Sequence, residues 1–350
     1  MRGSALLIFL MTSSAFASDF GVGQRDYVFQ DKERSRTLTT HVWYPIDAKI
    51  PLPVPDIKEN PFLPVIAKKE APLPELPLQF PVVLLSHGSG GKADKLFWIV
   101  DSLVREGMVV VAVDHVGNMT GDSSGDGMMR IWNRPLDLSF ALDRVLDQKE
   151  FISRLDLTRV AAVGHSAGGT AALLLAGARL SADRFQSPIP YCAGTKDPYY
   201  AKLCTEVAAI KPKTYPKKTI EGDYSDSRVK AVVALDPGFA RSFDPPSFKQ
   251  LRAKALLFIA ERINTPHDEI FSKEFSHFLP ADMHQVVPRS FHMTFLQACK
   301  PGFPKDDPEL KELCIENDLK VRLQKEIAHR TLAFLTKSWE PTVLWSVLVH

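Results

Sequence analysis

The chain has 350 residues, 45% hydrophobic and 24% charged, with 43 Lys+Arg against 41 Asp+Glu. This is the balance of a folded globular protein, and it excludes a disordered, collagen-like or coiled-coil chain. A net charge of +2 supplies no basic footprint for nucleic acid, and the length permits one large domain or two small ones.

The chain opens with a short positive Arg2, an apolar run from Ala5 to Met11 and the small-x-small site Ala15-Phe16-Ala17. That pattern predicts a signal peptide over 1–17, cleaved near Ala17, with 18–350 as a single exported domain, periplasmic or extracellular. The run is too short to span a bilayer. Thr37 to Tyr44 alternates β-branched and aromatic residues and predicts a strand. Residues 51–81 carry nine prolines and no strand or helix period, and predict an irregular surface excursion.

Short Val- and Leu-rich runs then recur: Phe80–Ser86, Met108–Asp114, Val160–Gly164, Val229–Leu235, Ala253–Ala260 and, more weakly, His284–Val287. Such runs are strands buried on both faces, as parallel sheets require. Between them Asp94–Glu106, Asp137–Leu155 and Gly168–Leu180 read as helices. The alternation predicts a doubly wound, mostly parallel α/β sheet. Its ligand site lies beyond the carboxyl ends of the strands. Residues 181–227 interrupt the alternation with a long polar stretch, read as a cap or lid insertion, the alternative being an inert surface insertion. Pro308 to Trp339 reads as one or two amphipathic helices packing on the sheet.

In an exported chain the four cysteines pair most simply with their neighbours, Cys192–Cys204 and Cys299–Cys314. The alternative is four buried thiols. No C-x-x-C occurs, so no zinc or redox motif is encoded and no metal site is expected.

The chemistry concentrates in two glycine-rich turns. Gly164-His165-Ser166-Ala167-Gly168-Gly169 follows a buried strand and opens an Ala/Leu-rich helix, the context in which G-x-S-x-G presents a nucleophilic Ser. Ser86-His87-Gly88-Ser89-Gly90-Gly91 follows the first central strand. A phosphate loop is excluded there by the missing Lys-Ser/Thr ending. Acyl transfer needs donors aimed at a developing oxyanion, and the backbone amides of Ser89 and Ala167 stand where such donors belong. An activated Ser needs an imidazole oriented by a carboxylate. Of His267, His277, His284, His292, His329 and His350, the best placed is His292, after the last strand-like run. The acid is Asp236, ending a strand before Pro237-Gly238, or Asp268 or Glu261 after the next strand. Asp114 ends its own strand and reads as a loop cap. Asn118-Met119-Thr120 is a glycosylation sequon.

These motifs, with Val42-Trp43-Tyr44-Pro45, VAVDHVGN from Val111, ALDPG from Ala234 and SFHMTF from Ser290, resemble the platelet-activating factor acetylhydrolase and dienelactone hydrolase branch of the α/β hydrolases. The resemblance covers most of the chain after the signal. It implies an α/β-hydrolase fold, an acid at Asp236, oxyanion amides at Ser89 and Ala167, and no cofactor. Dienelactone hydrolases use Cys as nucleophile, so Ser166 argues against that activity. The resulting expectation is a serine ester hydrolase for short-acyl or lipid-like esters. The apolar excursion (Phe62, Leu63, Val65 and Ile66) and the lid are expected to favour lipid-like esters, and the protein is expected to make peripheral contact with membrane or lipid aggregates. The alternatives are a serine peptidase, a polyester hydrolase, or a non-catalytic binding protein on the same scaffold.

Overall fold

The apolar runs form strands because the sheet is covered on both sides. In the computed structural model, which describes residues 20–54, 61–75, 79–185, 205, 215–261, 279–301, 313–314 and 317–340, the strands are β1 (Gly21–Asp31), β2 (Arg36–Ile46), β3 (Lys68–Lys69), β4 (Phe80–Ser86), β5 (Val109–Asp114), β6 (Asn118–Met119), β7 (Asp122–Ser123), β8 (Leu155–His165), β9 (Val229–Leu235), β10 (Lys254–Ala260) and β11 (His284–Val287). Nine of these make one sheet in the order β11-β10-β9-β8-β4-β5-β2-β1-β3, and β6 and β7 form a separate hairpin. From β11 to β5 neighbours are parallel. β2 is antiparallel to both β5 and β1.

The helices are α1 (Phe97–Arg105), α2 (Gly125–Met129), α3 (Asn133–Leu146), α4 (Ala167–Leu175), the short α5 (Ala182–Phe185) and α6 (Lys217–Ile220), and the C-terminal α7 (Asn317–Trp339). On one face Val83, Leu85, Val110 and Ala112 pack with Ile99 and Leu103 of α1 and Ile327 and Leu335 of α7. On the other, Val82, Leu84, Val109 and Val111 pack with Leu138 and Leu142 of α3 and Ala171 and Leu174 of α4. Odd and even positions of one strand thus enter different cores, which is why the sequence shows continuous apolar runs there.

The winding reverses at β4. The chain leaves β4 for β5 on one side and returns through α3 to β8 on the other. A crevice at such a switch point is where doubly wound sheets bind ligands. The loop after β4 and the turn after β8 both open there.

Several expectations need correction. β1 has no counterpart in the reading of the sequence, since its first four residues are buried while the next six alternate, a mixed pattern with two glycines. The helix expected over Asp137–Leu155 runs instead from Asn133 to Leu146, and Leu155 opens β8. Pro135 fits because it lies in the first turn, where its missing N–H has no partner to lose. The proline-rich segment is more than a surface excursion. Phe62 turns inward, buried against Lys95 and bridged to Cys299, so it is unavailable to lipid. Lys68 and Lys69 add an edge strand to β1. Cys299–Cys314 is a disulfide. Cys192, Cys204, the segment expected to be a signal peptide and most of the middle of the 181–227 insertion lie outside the described residues. The insertion's described ends pack on the core: Phe185 and Tyr215 lie 5.9 and 5.0 Å from Trp132, ring to ring.

Candidate active site

Ser166 stands between β8 and α4 with φ 55° and ψ −121°, backbone that costs a non-glycine residue energy and persists only where the surroundings enforce it. The enforcement is tight packing. A Cβ on Gly164 would lie 2.1 Å from the Gly168 carbonyl oxygen, and one on Gly168 would lie 1.9 Å from that of Ser86. Only glycine at both positions lets β8, α4 and the end of β4 meet this closely. Hydrogen bonds fix the turn from the next strand: Ser166 N donates to Leu235 O (3.0 Å) and Gly238 N donates to Ser166 O (2.9 Å).

β9 ends at Leu235, and Asp236 follows with φ 44° and no exposure. Its Oδ1 accepts from the Ala260 amide (3.1 Å), and its Oδ2 lies 2.6 Å from His292 Nδ1. That contact fixes the proton on Nδ1 and leaves Nε2 as the acceptor face of the neutral ring. His165 Nε2 donates to the His292 carbonyl (3.1 Å), and the two rings lie 4.5 Å apart. His292 is therefore seated directly against the residue that precedes Ser166. Among the described residues the Ser166 hydroxyl makes no hydrogen bond.

The loop that carries His292 is braced from below. Asn317, Lys320 and Gln324, spaced along one face of α7, hold it by its backbone. Asn317 takes both polar groups of the Cys299 backbone (2.8 Å each), Lys320 Nζ reaches Gln297 O (3.4 Å), and Gln324 Nε2 donates to Thr294 O (2.9 Å) and Leu296 O (2.6 Å). Burial pushes the Lys320 ammonium down to about 7. The proline-rich segment joins the brace, with Leu63 N donating to Ala298 O at 2.7 Å.

Glu261 does not face His292. Its carboxylate accepts from the Arg289 amide at 2.7 Å. Asp268 lies outside the described residues. Gly88 passes beside Ser166, since a Cβ there would stand 3.3 Å from Ser166 Cβ. The next residue is Ser89. Among the described residues neither the Ser89 nor the Ala167 amide donates to another group of the chain.

A family model described as "Alpha/beta hydrolase family" matches residues 82–328. The chain belongs to that family. Curated protein sequences give no significant match to this hydrolase. A solved structure of a ferulic acid esterase from Streptomyces cinnamoneus is similar with a TM-score of 0.54 and 20% identity, covering 96% of this chain and 95% of that one. The fold is shared with hundreds of solved chains, so it does not by itself select a substrate.

Other residues of the hydrolase's site escaped sequence reasoning. Ser86, His115 and Asp137 form a second Ser–His–Asp array, with Oγ to Nε2 at 2.8 Å and Nδ1 to Oδ2 at 3.0 Å. All three are buried. Asp137 also receives Arg34 (2.7 Å) and Arg36 (2.8 Å); burial would raise its carboxyl, but the His115 hydrogen bond and then the Arg36 contact outweigh burial and hold it down at about 2. His115 is pushed down to about 4, by burial first and by Arg134 second. Asp114 takes the loop-capping position expected of it, accepting from the Ala93 amide at 2.8 Å. The sequon is not a surface feature: Asn118 is 2% exposed and its side chain binds Arg134 and the Gly90 amide. The signal available in the sequence was the order Asn133-Arg134-Pro135, an Arg entering a helix whose next polar residue is Asp137.

Proposed function

We propose that this hydrolase is an exported serine carboxylic ester hydrolase acting on short-acyl or lipid-like esters, as platelet-activating factor acetylhydrolases do. The observation that carries the reading is the strained Ser166 elbow set against the Asp236–His292 pair. In the proposed reaction Ser166 Oγ attacks the ester carbonyl carbon while His292 Nε2 takes its proton. The Ser89 and Ala167 amides receive the carbonyl oxygen as it becomes an oxyanion. Collapse of the tetrahedral adduct expels the alcohol, protonated by His292, and leaves an acyl-serine. Water, deprotonated by the same imidazole, then releases the acid. Asp236 keeps the ring oriented and stabilises its charged form. The approach of Ser166 Oγ to Nε2 closes in the substrate complex, since catalytic hydrogen bonds in free enzymes are commonly long.

An apolar substrate is supported by the residues after Asp236. Gly238 adjoins Ser166 Oγ, where a Cβ would lie 3.5 Å from the hydroxyl, and Phe239 stacks on Phe185 at 6.0 Å. Export is supported by the pattern of residues 1–17 and by the Cys299–Cys314 disulfide, which suits an oxidising compartment. A nitrophenyl ester series of increasing acyl length, run beside a short-acyl phospholipid, tests the proposal. Turnover should be highest for the short chains and should include the phospholipid. Cleavage confined to peptides or to polyester film would overturn it.

A further inference from the structure

We infer that Arg134 is the positioning residue of the oxyanion hole: its guanidinium grips the Gly88 carbonyl and thereby aims the Ser89 amide at the reacting oxygen. This rests on the reading of Ser89 given above. The mechanism has no use for Arg134 otherwise, and the fold gives it a costly place. It lies in the first turn of α3 and is 3% exposed.

Its fork is spent on the loop after β4 and on the residue that supports it. Nη1 donates to the His87 carbonyl and to Ser86 Oγ (3.2 Å). Nη2 donates to Gly88 O (3.3 Å), to Asn118 O (3.4 Å) and to Asn118 Oδ1 (2.8 Å). The Gly88 oxygen also accepts from His87 Nδ1 (2.6 Å) and from the Gly91 amide (3.2 Å). Three donors therefore hold one carbonyl. In a planar trans peptide the C=O and the following N–H point in opposite directions. Fixing Gly88 O on the Arg134 side turns the Ser89 N–H the other way, out of the bracing network. The same loop passes Ser166 at Gly88.

The supporting groups admit one arrangement of protons. His87 Nδ1 faces a carbonyl and must carry hydrogen, while its Nε2 accepts from the His115 amide at 3.1 Å. Burial, then the Arg134 charge, hold His87 well below its ordinary value and keep it in that neutral form. Asn118 Oδ1 accepts from Arg134 and from Gly90 N (3.1 Å), which fixes its amide orientation. Arg134 donates to Ser86 Oγ, Ser86 donates to His115 Nε2, and His115 Nδ1 donates to Asp137. No carboxylate touches the guanidinium among the described residues; its counter-charge is relayed through two neutral groups. Burial lowers Arg134 to about 9. For stability alone an apolar side chain of similar volume would serve as well or better. A planar, five-donor fork is required only if several carbonyls must be held at once.

The test compares Arg134→Met and Arg134→Lys with wild type and with Tyr44→Phe, a control that loses a buried hydrogen bond to Ala71 O. Four readouts are taken: Tm, kcat and KM on a nitrophenyl ester, and inhibition by an alkylboronic acid, whose tetrahedral serine adduct places an oxygen where the oxyanion sits. Losing one aimed oxyanion donor costs about 10²- to 10³-fold in kcat. Arg134→Met should lose about 10²-fold in kcat, with KM changed by less than about threefold and boronate affinity falling in step with kcat. Arg134→Lys, which keeps the charge but not the fork, should stay folded and lose about tenfold in both. Tyr44→Phe should lower Tm and leave kcat and boronate affinity per folded molecule unchanged. If Arg134→Met does not fold, the Lys variant decides alone. A wild type that takes no fluorophosphonate on Ser166 overturns the ester-hydrolase reading and this inference with it. A labelled wild type whose folded Arg134 variants bind boronate as tightly as it does overturns this inference and leaves the reading intact.

Discussion

Two Ser–His–Asp arrays stand at the carboxyl ends of neighbouring strands, and only one of them is open. In the first, Asp236 meets His292 at 2.6 Å, the imidazole is 11% exposed, and the serine sits on a strained turn. In the second, Ser86, His115 and Asp137 are joined by bonds of 2.8 and 3.0 Å, with His115 and Asp137 at 1% and 0% exposure. By hydrogen bonds alone the buried array is the better formed. It has no face for a substrate, its serine accepts from Arg134, and its carboxylate is shared with two further arginines. The contrast shows that three residue types in sequence do not make a catalytic centre. What sets the first array apart is access, a serine on strained backbone and, among the described residues, Ser89 and Ala167 amides that donate to no other group. The buried set is reused as scaffold for the amide loop.

The sharpest way to break this comparison is to remove each serine. Ser166→Ala should lower kcat by about 10⁴- to 10⁶-fold with little change in Tm. Ser86→Ala should keep kcat within about tenfold, but should lose about 1–3 kcal/mol of stability, because it leaves buried groups of His115 and Arg134 unpaired. Steady-state kinetics and urea unfolding on both variants check the pair. Comparable losses of kcat would erase the distinction.

The two carboxylates should separate in the same sense. Asp236→Asn should cost about 10⁴-fold in kcat, through the wrong imidazole tautomer. Its fold should survive, since Asn tolerates the positive φ found there. Asp137→Asn should instead destabilise by about 3–5 kcal/mol, because Arg34 and Arg36 lose their buried counter-charge. Denaturant midpoints and kcat per folded molecule distinguish the two.

A smaller effect lies in pH. His115 is depressed to about 4 in the folded chain, so between about 6.5 and 4 the unfolded chain binds a proton that the folded one does not. Stability therefore falls as pH drops through that window. His41 is the opposite case. Burial would lower it, but Asp114 and Asp26 outweigh burial and raise it to about 9. Its contribution is complete below about 6.5 and is lost as pH rises toward 9, with each limb worth up to about 3 kcal/mol. Urea midpoints against pH should peak near neutrality, and His41→Gln should flatten the alkaline limb alone. A wild-type profile that is level from pH 6.5 to 9 would count against the ion pairs around His41.

The sequence already held most of this sheet and little of its support. The strands at Phe80–Ser86 and Val229–Leu235 were legible to the residue, because burial on both faces leaves nearly uninterrupted apolar runs; His284–Val287, a partly exposed strand at the sheet edge, left only a weaker run. β1 was not, since its outer half is partly exposed and its partner is set by tertiary pairing. Ser166, His292 and Asp236 were legible because each follows a strand that the pattern marks. Glu261, equally well placed in sequence, faces the Arg289 amide instead, a pairing 28 residues away that no local pattern records. Arg134, His87, His115 and Asn118 were illegible. Most of their partners, side chains and backbone groups alike, lie 16 to 48 residues away, and no periodicity or motif records such contacts. Asn118 of the sequon is likewise consumed by Arg134, a contact that the motif does not record.

The most direct measurement is fluorophosphonate labelling of the folded protein, with the modified peptide mapped by mass spectrometry in wild type, Ser166→Ala and Ser86→Ala. The account requires one label, on Ser166, in wild type and Ser86→Ala, and none in Ser166→Ala. A wild type that takes no label, or a label that persists in Ser166→Ala, would contradict it.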